Sequence, residues 1–587
     1  MISMFNKKKI INIISFIAIM INFYNYHMFN RSNISLYLLF FLLLFFFIKT
    51  DDIKPDKIIN SFALVFTIFF TFGDSSVIKL SRAIYIVTGL IGWFALFQRL
   101  FYLLKISINK INVNEKTTKK EKISKRKFIL ISMLIGFLCY LPYFLKFFPA
   151  LMSSDGYNQL LQIKHIIGYS NHHPLAHTFL MKFWYSIGYG IFKKDIIGLA
   201  FYTVFQMLFL SFIYSYVVYI LYKNNIKKIW IILLWMFYFL YPFNALYSIT
   251  IWKDIIFAPL LLLFSVYIWD HYNEKEEWDK KNKIIFIVFG ILLCIFRSNA
   301  LLAFLIFVFS LYKLYNNDFK KLFKSIILIV IVALLIKGPF VKLINGIQPD
   351  FVESLSIPLQ QVAYVIRNDG RISKSEMKKI KKIADVDLIK EQNEIPRAQF
   401  VSDYVKDNIR ANDKTHYLEK HKFDYLKLWL SLGVKNPNKY IRAWINQTNG
   451  FWYYNVDPYI VYLLSTQTYG REGYDLGFEQ QDYLPPVLSK GISKLIEYTT
   501  NIYYNVCSPA IGLYFVLVSL FILLEKKKNI LHCIFPIAIV LTLLIATPVS
   551  CEFRYVYTLF LGGGAFLLLS LSNKINNRRK TKKKILN

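Results

Sequence analysis

The sequence predicts an all-α, polytopic integral membrane protein, and three observations carry that reading. Of 587 residues, 56% are hydrophobic and 18% aromatic, above the roughly 45–50% apolar usage of soluble domains. The apolar residues gather in runs that approach the about 20 residues a spanning helix needs. Between the runs sit short clusters of lysine, which account for most of a formal charge of +35 from 71 basic and 36 acidic residues. Basic groups placed in this way read as topology signals and contacts to anionic membrane lipids, not as a nucleic-acid surface.

Fourteen runs are candidate spans, giving about 13–14 transmembrane helices: 10–29, 34–49, 58–73, 83–104, 128–147, 198–222, 229–248, 254–270, 284–296, 299–315, 325–342, 509–524, 530–547 and 555–572. With a cytoplasmic N-terminus, alternate loops carry Lys7–Lys9, Lys49/Lys54/Lys57, the basic 105–127 segment, Lys223/Lys227/Lys228, 271–283, Lys320/Lys321/Lys324, Lys526–Lys528 and the RRKTKKK tail. The opposite loops are nearly free of Lys and Arg or are the two long segments, so both termini are expected in the cytoplasm of a multi-pass protein. Segments 148–197 and 343–508 are then extracytoplasmic.

These boundaries divide the chain into a four-helix N-terminal membrane segment (1–127), a membrane core with a long first external loop (128–342), an external domain (343–508), C-terminal membrane helices (509–572) and a basic tail (573–587). The external domain is expected to be mostly helical, and Ser373 with Glu376 makes a capping box. Its aromatic stretch offers Phe451, Trp452, Tyr453, Tyr454 and Tyr459 either to sugar rings or to an interfacial aromatic belt. The run 174–192 reads as a juxtamembrane or re-entrant helix. Five cysteines show no metal-ligand spacing.

The chemistry-bearing residues lie on the external side. The stretch SSDGYNQLLQIKHIIGYSNHHP (153–174) is a polar island in an apolar chain, and such groups are costly inside a membrane unless they act. On a helical wheel Asp155, Asn158, Gln159, Gln162 and His165 share one side, opposite Tyr157, Leu160, Leu161, Ile163 and Ile167. That pattern predicts an interfacial amphipathic helix with a solvated polar stripe and with Lys164 snorkelling from the apolar arc. Asp155 could serve as a general base or hold a divalent cation; a solvated acid at a helix N-terminus is the plain alternative. His172, His173 and His177 follow in the same segment. Trp252-Lys253-Asp254, Arg297-Ser298-Asn299 and Cys551-Glu552-Phe553-Arg554-Tyr555 bring charge to three further external turns. Arginine suits a phosphate there because its planar fork donates in pairs. Convergence of these turns on one anionic headgroup is the economical reading; isolated ion pairs and snorkelling are the bland one.

The set SSDGYNQ…NHHP, WKD, RSN, IPLQQVAYVIRNDG and TPVSCEFRY resembles a bacterial family of membrane proteins grouped with the GT-C superfamily of glycosyltransferases. The resemblance covers about 128–572 and leaves the first four helices outside. It implies a GT-C-like fold, a polyprenyl-phosphate-linked sugar as donor and an inverting single displacement onto a cell-envelope glycan, lipid or protein. Asp155 would then be the base, with Asp254 and His173 as catalytic helpers. Lys253, Arg297 and Arg554 would hold the donor phosphate, with His172, Asn158, Gln162 and Tyr555 also binding substrate. Many members of the superfamily carry two adjacent acids in this loop, whereas Gly156 follows Asp155 here, which leaves a divalent cation an open question. The rivals are a transporter or flippase of lipid-linked glycans and a polysaccharide polymerase or ligase with a lipid-diphosphate donor.

Overall fold

A computed structural model describes residues 2–25, 34–78, 82–108, 110–115, 123–456, 479–506 and 508–572. The N-terminal segment comprises α1 (Ile2–Asn25), α2 (Ile34–Lys49), α3 (Lys57–Phe72) and α4 (Ala83–Ile108). The core follows with α5 (Lys125–Lys146), β1 (Leu151–Met152), α6 (Ser154–Ile163), α7 (Leu175–Phe192) and α8 (Asp195–Lys223). It continues through α9 (Lys228–Phe239), α10 (Pro242–Ile249), β2 (Thr250–Ile251), α11 (Lys253–Glu274), α12 (Lys280–Phe296), α13 (Ala300–Leu314), α14 (Asn316–Lys337) and α15 (Pro339–Leu343).

Every one of the fourteen apolar runs forms a helix, but the expected 13–14 full spans do not follow. Among the described residues six helices are long and apolar enough to cross a membrane: α4, α5, α8, α11, Asn316–Leu343 and Phe553–Leu571. A seventh results if α9 and α10, bent by 45°, act as one span. The break falls where Pro242 opens α10, since proline removes a backbone donor and clashes with the preceding turn. Most other runs give, among the described residues, apolar helical stretches of 10–17 residues, about 15–26 Å long at 1.5 Å per residue. Run counting sees composition and not the length over which the backbone stays helical.

The long segment supplies α16 (Ser356–Arg367), α17 (Lys374–Lys381), α18 (Val386–Glu391), α19 (Asp403–Ala411), α20 (Thr415–Lys420), α21 (Lys422–Lys435) and α22 (Pro437–Thr448). These helices close around a core of their own that includes Val352, Leu359, Ile409, Leu432 and Tyr440. The Ser373–Glu376 capping box opens α17 as expected. The segment does not behave as one unit to 508, because Phe451, Trp452 and Tyr453 join the membrane core instead. Their rings meet Phe69, Trp444, Tyr454 and Tyr555, and Tyr454 stacks on Phe70, so they are packing groups and not a sugar platform. Tyr459 and the RRKTKKK tail lie outside the described residues. The chain ends with α23 (Pro486–Val506), α24 (Ile511–Glu525), α25 (Leu531–Ala546) and α26 (Phe553–Leu571).

The helices give the body two polar ends. Lys125 opens α5, Lys223 closes α8, Glu274 closes α11 and Lys280 opens α12, all at what we call the basic end. The other end carries β1, β2 and the start of α11. The 22 residues of α11 separate the two by about 33 Å, close to the roughly 30 Å of a hydrocarbon core. The helical domain is fastened over the second end. Val401 bridges Val549, Ser402 donates to Pro548 O at 3.0 Å, and Gln447 donates to Thr547 O at 2.8 Å.

Candidate functional site

The site begins with a two-residue parallel pairing. Leu151 aligns with Thr250 and Met152 with Ile251, so the residues just beyond each strand, Ser153 and Trp252, start their helices side by side. Ser153 fixes this junction twice. Its hydroxyl donates to Ile251 O at 2.7 Å and accepts the Gly156 amide at 3.0 Å, capping α6. Gly156 is required by the same close approach, since a Cβ there would stand 2.6 Å from Ile251 O. That geometry explains why the residue after Asp155 is not a second acid: no side chain fits.

Asp155 therefore faces the first turn of α11 and of α26. Its Oδ2 accepts from Lys253 Nζ at 2.7 Å and from Arg554 Nη1 at 2.8 Å, with His173 Nδ1 at 3.5 Å. Lys253 Nζ also stands 3.1 Å from His173 Nδ1; an ammonium only donates, so the imidazole nitrogen accepts and carries no proton. Burial opposes ionisation of Asp155, but the charges of Arg554 and Lys253 hold its carboxyl well below the usual carboxylate range. Burial and the Lys253 charge push His173 down, which keeps it neutral.

A second layer lies directly beneath. Asp254 is 1% exposed, 3.3 Å from Arg297 Nη1 and 3.8 Å from Arg554 Nη1. Neither of its oxygens makes a hydrogen bond. Arg297 does not reach Asp155: it donates to Asn299 Oδ1 at 2.9 Å and to Tyr555 O at 3.1 Å. Its guanidinium and that of Arg554 lie about the Tyr555 ring, at 5.1 and 5.2 Å, and Arg554 also lies 4.3 Å over Trp252. Glu552 Oε1 stands 3.0 Å from Arg554 Nε, and burial raises its carboxyl to about 7. Arg554 thus lies between the two acids, its Nε toward Glu552 and its Nη1 toward Asp155.

The structure brings together Asp155, His173, Lys253, Asp254, Arg297, Arg554 and Tyr555, and sets the others apart. The helix bearing Asp155 is not an interfacial one with a wet stripe. It stops at Ile163, ahead of His165 in a left-handed conformation (φ 56°), and is buried along most of its length. Gln159 is fully buried, donating to Thr178 Oγ1 at 2.9 Å and meeting His177 Nδ1 at 2.7 Å. His177 in turn meets Tyr202 OH at 2.7 Å. Gln162 accepts the Ser170 amide at 3.1 Å and so ties a loop down; it does not face the Asp155 cluster. Lys164 pairs with Asp195 at 3.0 Å instead of snorkelling. His172 is exposed on the rim, edge-on to His173, and Asn158 is half-buried one turn beyond Asp155. Ser153 was not singled out from the sequence, and Gly156, Trp252 and Glu552 were named there only as neighbours of the chosen residues. The Ser-x-x-Gly spacing ahead of an apolar run was the available sign for the first two.

The donor set does not fit a divalent cation. Two positive groups, Lys253 and Arg554, crowd Asp155, and no cluster of three or more His, Cys, Asp or Glu among the described residues could hold a metal. What the arrangement can do is accept an anion, because Lys253 and Arg554 each have donors in excess of the one carboxylate they share.

A multi-pass, all-helical membrane protein with a buried ionic cluster at one end of its bundle is the class these features define. Within it, the chain belongs to DUF6020, a family of unknown function, matched over residues 160–584. No curated protein and no solved structure matches the chain.

Proposed function

We propose that the protein is a GT-C-like membrane glycosyltransferase. It would transfer a sugar from polyprenyl phosphate to a cell-envelope acceptor at the outer face of a bacterial cytoplasmic membrane. The observation that carries the reading is the meeting of Asp155, Lys253 and Arg554, drawn from three distant parts of the chain to one carboxylate oxygen at the end of a membrane bundle. The lysine pattern supports placing that end outside, with both termini cytoplasmic.

The chemistry follows from sharing of cations. With Lys253 and Arg554 on its Oδ2, Asp155 is a weak base. A donor phosphate arriving at the same two groups draws them away and raises the basicity of the carboxylate it uncovers. Asp155 then accepts the proton of an acceptor hydroxyl while that oxygen attacks the anomeric carbon from the face opposite the phosphate. The carbon–oxygen bond to phosphate breaks, and its electron pair leaves on the polyprenyl phosphate, neutralised by Lys253 and Arg554. Configuration inverts because one displacement occurs. Asp254 and Arg297 hold the first turns of α11 and α26 in place, and neutral His173 orients Lys253.

Proteoliposomes given radiolabelled polyprenyl-phosphate sugar test this. Label should move into the acceptor fraction. Label that crosses the bilayer without changing its chemical form would establish a flippase and remove the enzyme reading.

A further inference from the structure

Helix α23 is a long amphipathic element that the site does not use. Its N-terminus is fixed at the site end: Tyr483 N donates to Leu145 O at 2.9 Å, and Lys146 Nζ donates to Ser489 O at 3.0 Å. Lys146 closes α5, whose start lies at the basic end. The C-terminus returns to the same level, because Ser508, two residues past Val506, donates to Tyr453 O at 2.9 Å. That segment is anchored in turn by Asn449, which donates to Gly73 O at the site-end terminus of α3. A 21-residue helix is about 31 Å long. With both ends at one level it runs along the membrane plane and does not cross.

One side of its apolar arc is spoken for and the other is bare. Ile492 and Ile496 pack on the membrane core. Beside them Leu488, Leu495, Tyr498 and Ile502 are 58, 46, 68 and 46% exposed. They recur at seven, three and four residues, a single stripe on a helix, and Gly491 falls in the gap. Lys490 and Glu497 are exposed on the far side of the helix, and Lys494 is exposed at the edge of the stripe, one turn before Tyr498. Apolar exposure of this kind in a row marks a contact surface. A stripe lying in the membrane plane, continuous with a lipid-facing bundle and backed by lysines, matches the headgroup–acyl boundary.

We infer that α23 is an interfacial helix, its Leu488–Leu495–Tyr498–Ile502 stripe embedded in lipid and its Lys490 and Lys494 at the phosphate level. The helix is tied to the site through Gln480, which donates to Ala150 O at 3.2 Å just ahead of β1. It therefore sets the depth of Asp155 at the headgroup layer, whatever reaction occurs there.

Single cysteines at Leu488, Leu495 and Ile502, and at Lys490 and Glu497 as references, would be labelled with bimane in the full-length protein. The labelled proteins would be reconstituted in vesicles containing doxyl-labelled phosphatidylcholine. Strong quenching at the first three and weak quenching at the references is expected. Equal quenching of both sets, or none at the stripe, would overturn the inference. In the second case, protection from an aqueous maleimide would mark a protein–protein contact and rapid labelling a stripe in water.

Discussion

The two ends of α11 carry the same residue types and use them differently. At the basic end Asp270 receives both of its bonds from one lysine, Lys223 Nζ, at 2.8 and 2.9 Å, with Glu274 3.8 Å from the same nitrogen. At the other end Oδ2 of Asp155 receives Lys253 and Arg554 together, with His173 close by. The first is a closed pair between neighbouring helices. The second gathers more positive charge on one oxygen than a carboxylate needs. An ion pair that only fastens helices balances its charges locally, whereas a surplus of donors around a buried acid is an invitation to a second anion.

The largest difference between the ends should appear when the acids are removed. Asp155→Ala leaves Lys253 and Arg554 buried against each other and should cost about 3–5 kcal/mol, the usual penalty for stranding a buried charge. Asp270→Ala should cost less, about 1–3 kcal/mol, because Lys223 keeps Glu274. Unfolding in detergent would measure both; equal losses would erase the distinction. Gly156→Ala comes next. Its Cβ must displace Ile251 O and pry β1 from β2, at roughly 1–3 kcal/mol for overpacking. Gly168→Ala, with nothing within 4 Å of its Cβ, should be neutral and is the control.

A comparable effect, on transfer, is expected from Arg297→Lys. An ammonium cannot reach Asn299, Tyr555 O and Asp254 at once, so transfer should fall by about 1.5–3 kcal/mol in kcat/KM, the worth of charged hydrogen bonds. Lys223→Met should leave transfer unchanged. The smallest concerns pH. Glu552 is raised from 4.5 to about 7 in the folded protein, so between these values the folded state binds more protons than the unfolded. Its contribution is absent below about 4.5 and costs stability as pH rises toward 7. Glu552→Gln should flatten the pH dependence of unfolding across that window, and an unchanged slope would mean the carboxyl titrates normally.

Much of this was legible in the residues, and the misses share a cause. Apolar runs marked the helices, and charged groups in turns expected outside pointed to Asp155, Lys253, Arg297 and Arg554 converging, of which Arg297 stops short of Asp155. A helical wheel also put Gln159 and Gln162 on the side of Asp155, but polarity does not say whether the partner is water or protein. Here it is Thr178, His177 and Ser170. The same ambiguity affected Phe451 to Tyr454, whose aromatic character suits a ligand, a lipid belt or a core equally, and packing against α3 and α24 decided it. Arg297 was placed at the right end, but its partner Asp254 depends on how α11 and α12 are turned, which no local pattern encodes.

The claim that matters most is that the Asp155 end is where chemistry occurs and the Asp270 end is not. Asp155→Asn and Asp270→Asn, matched for protein level and reconstituted with labelled polyprenyl-phosphate sugar, test it in one assay. Asp155→Asn should lose transfer while Asp270→Asn keeps it. Full transfer by Asp155→Asn would contradict the account.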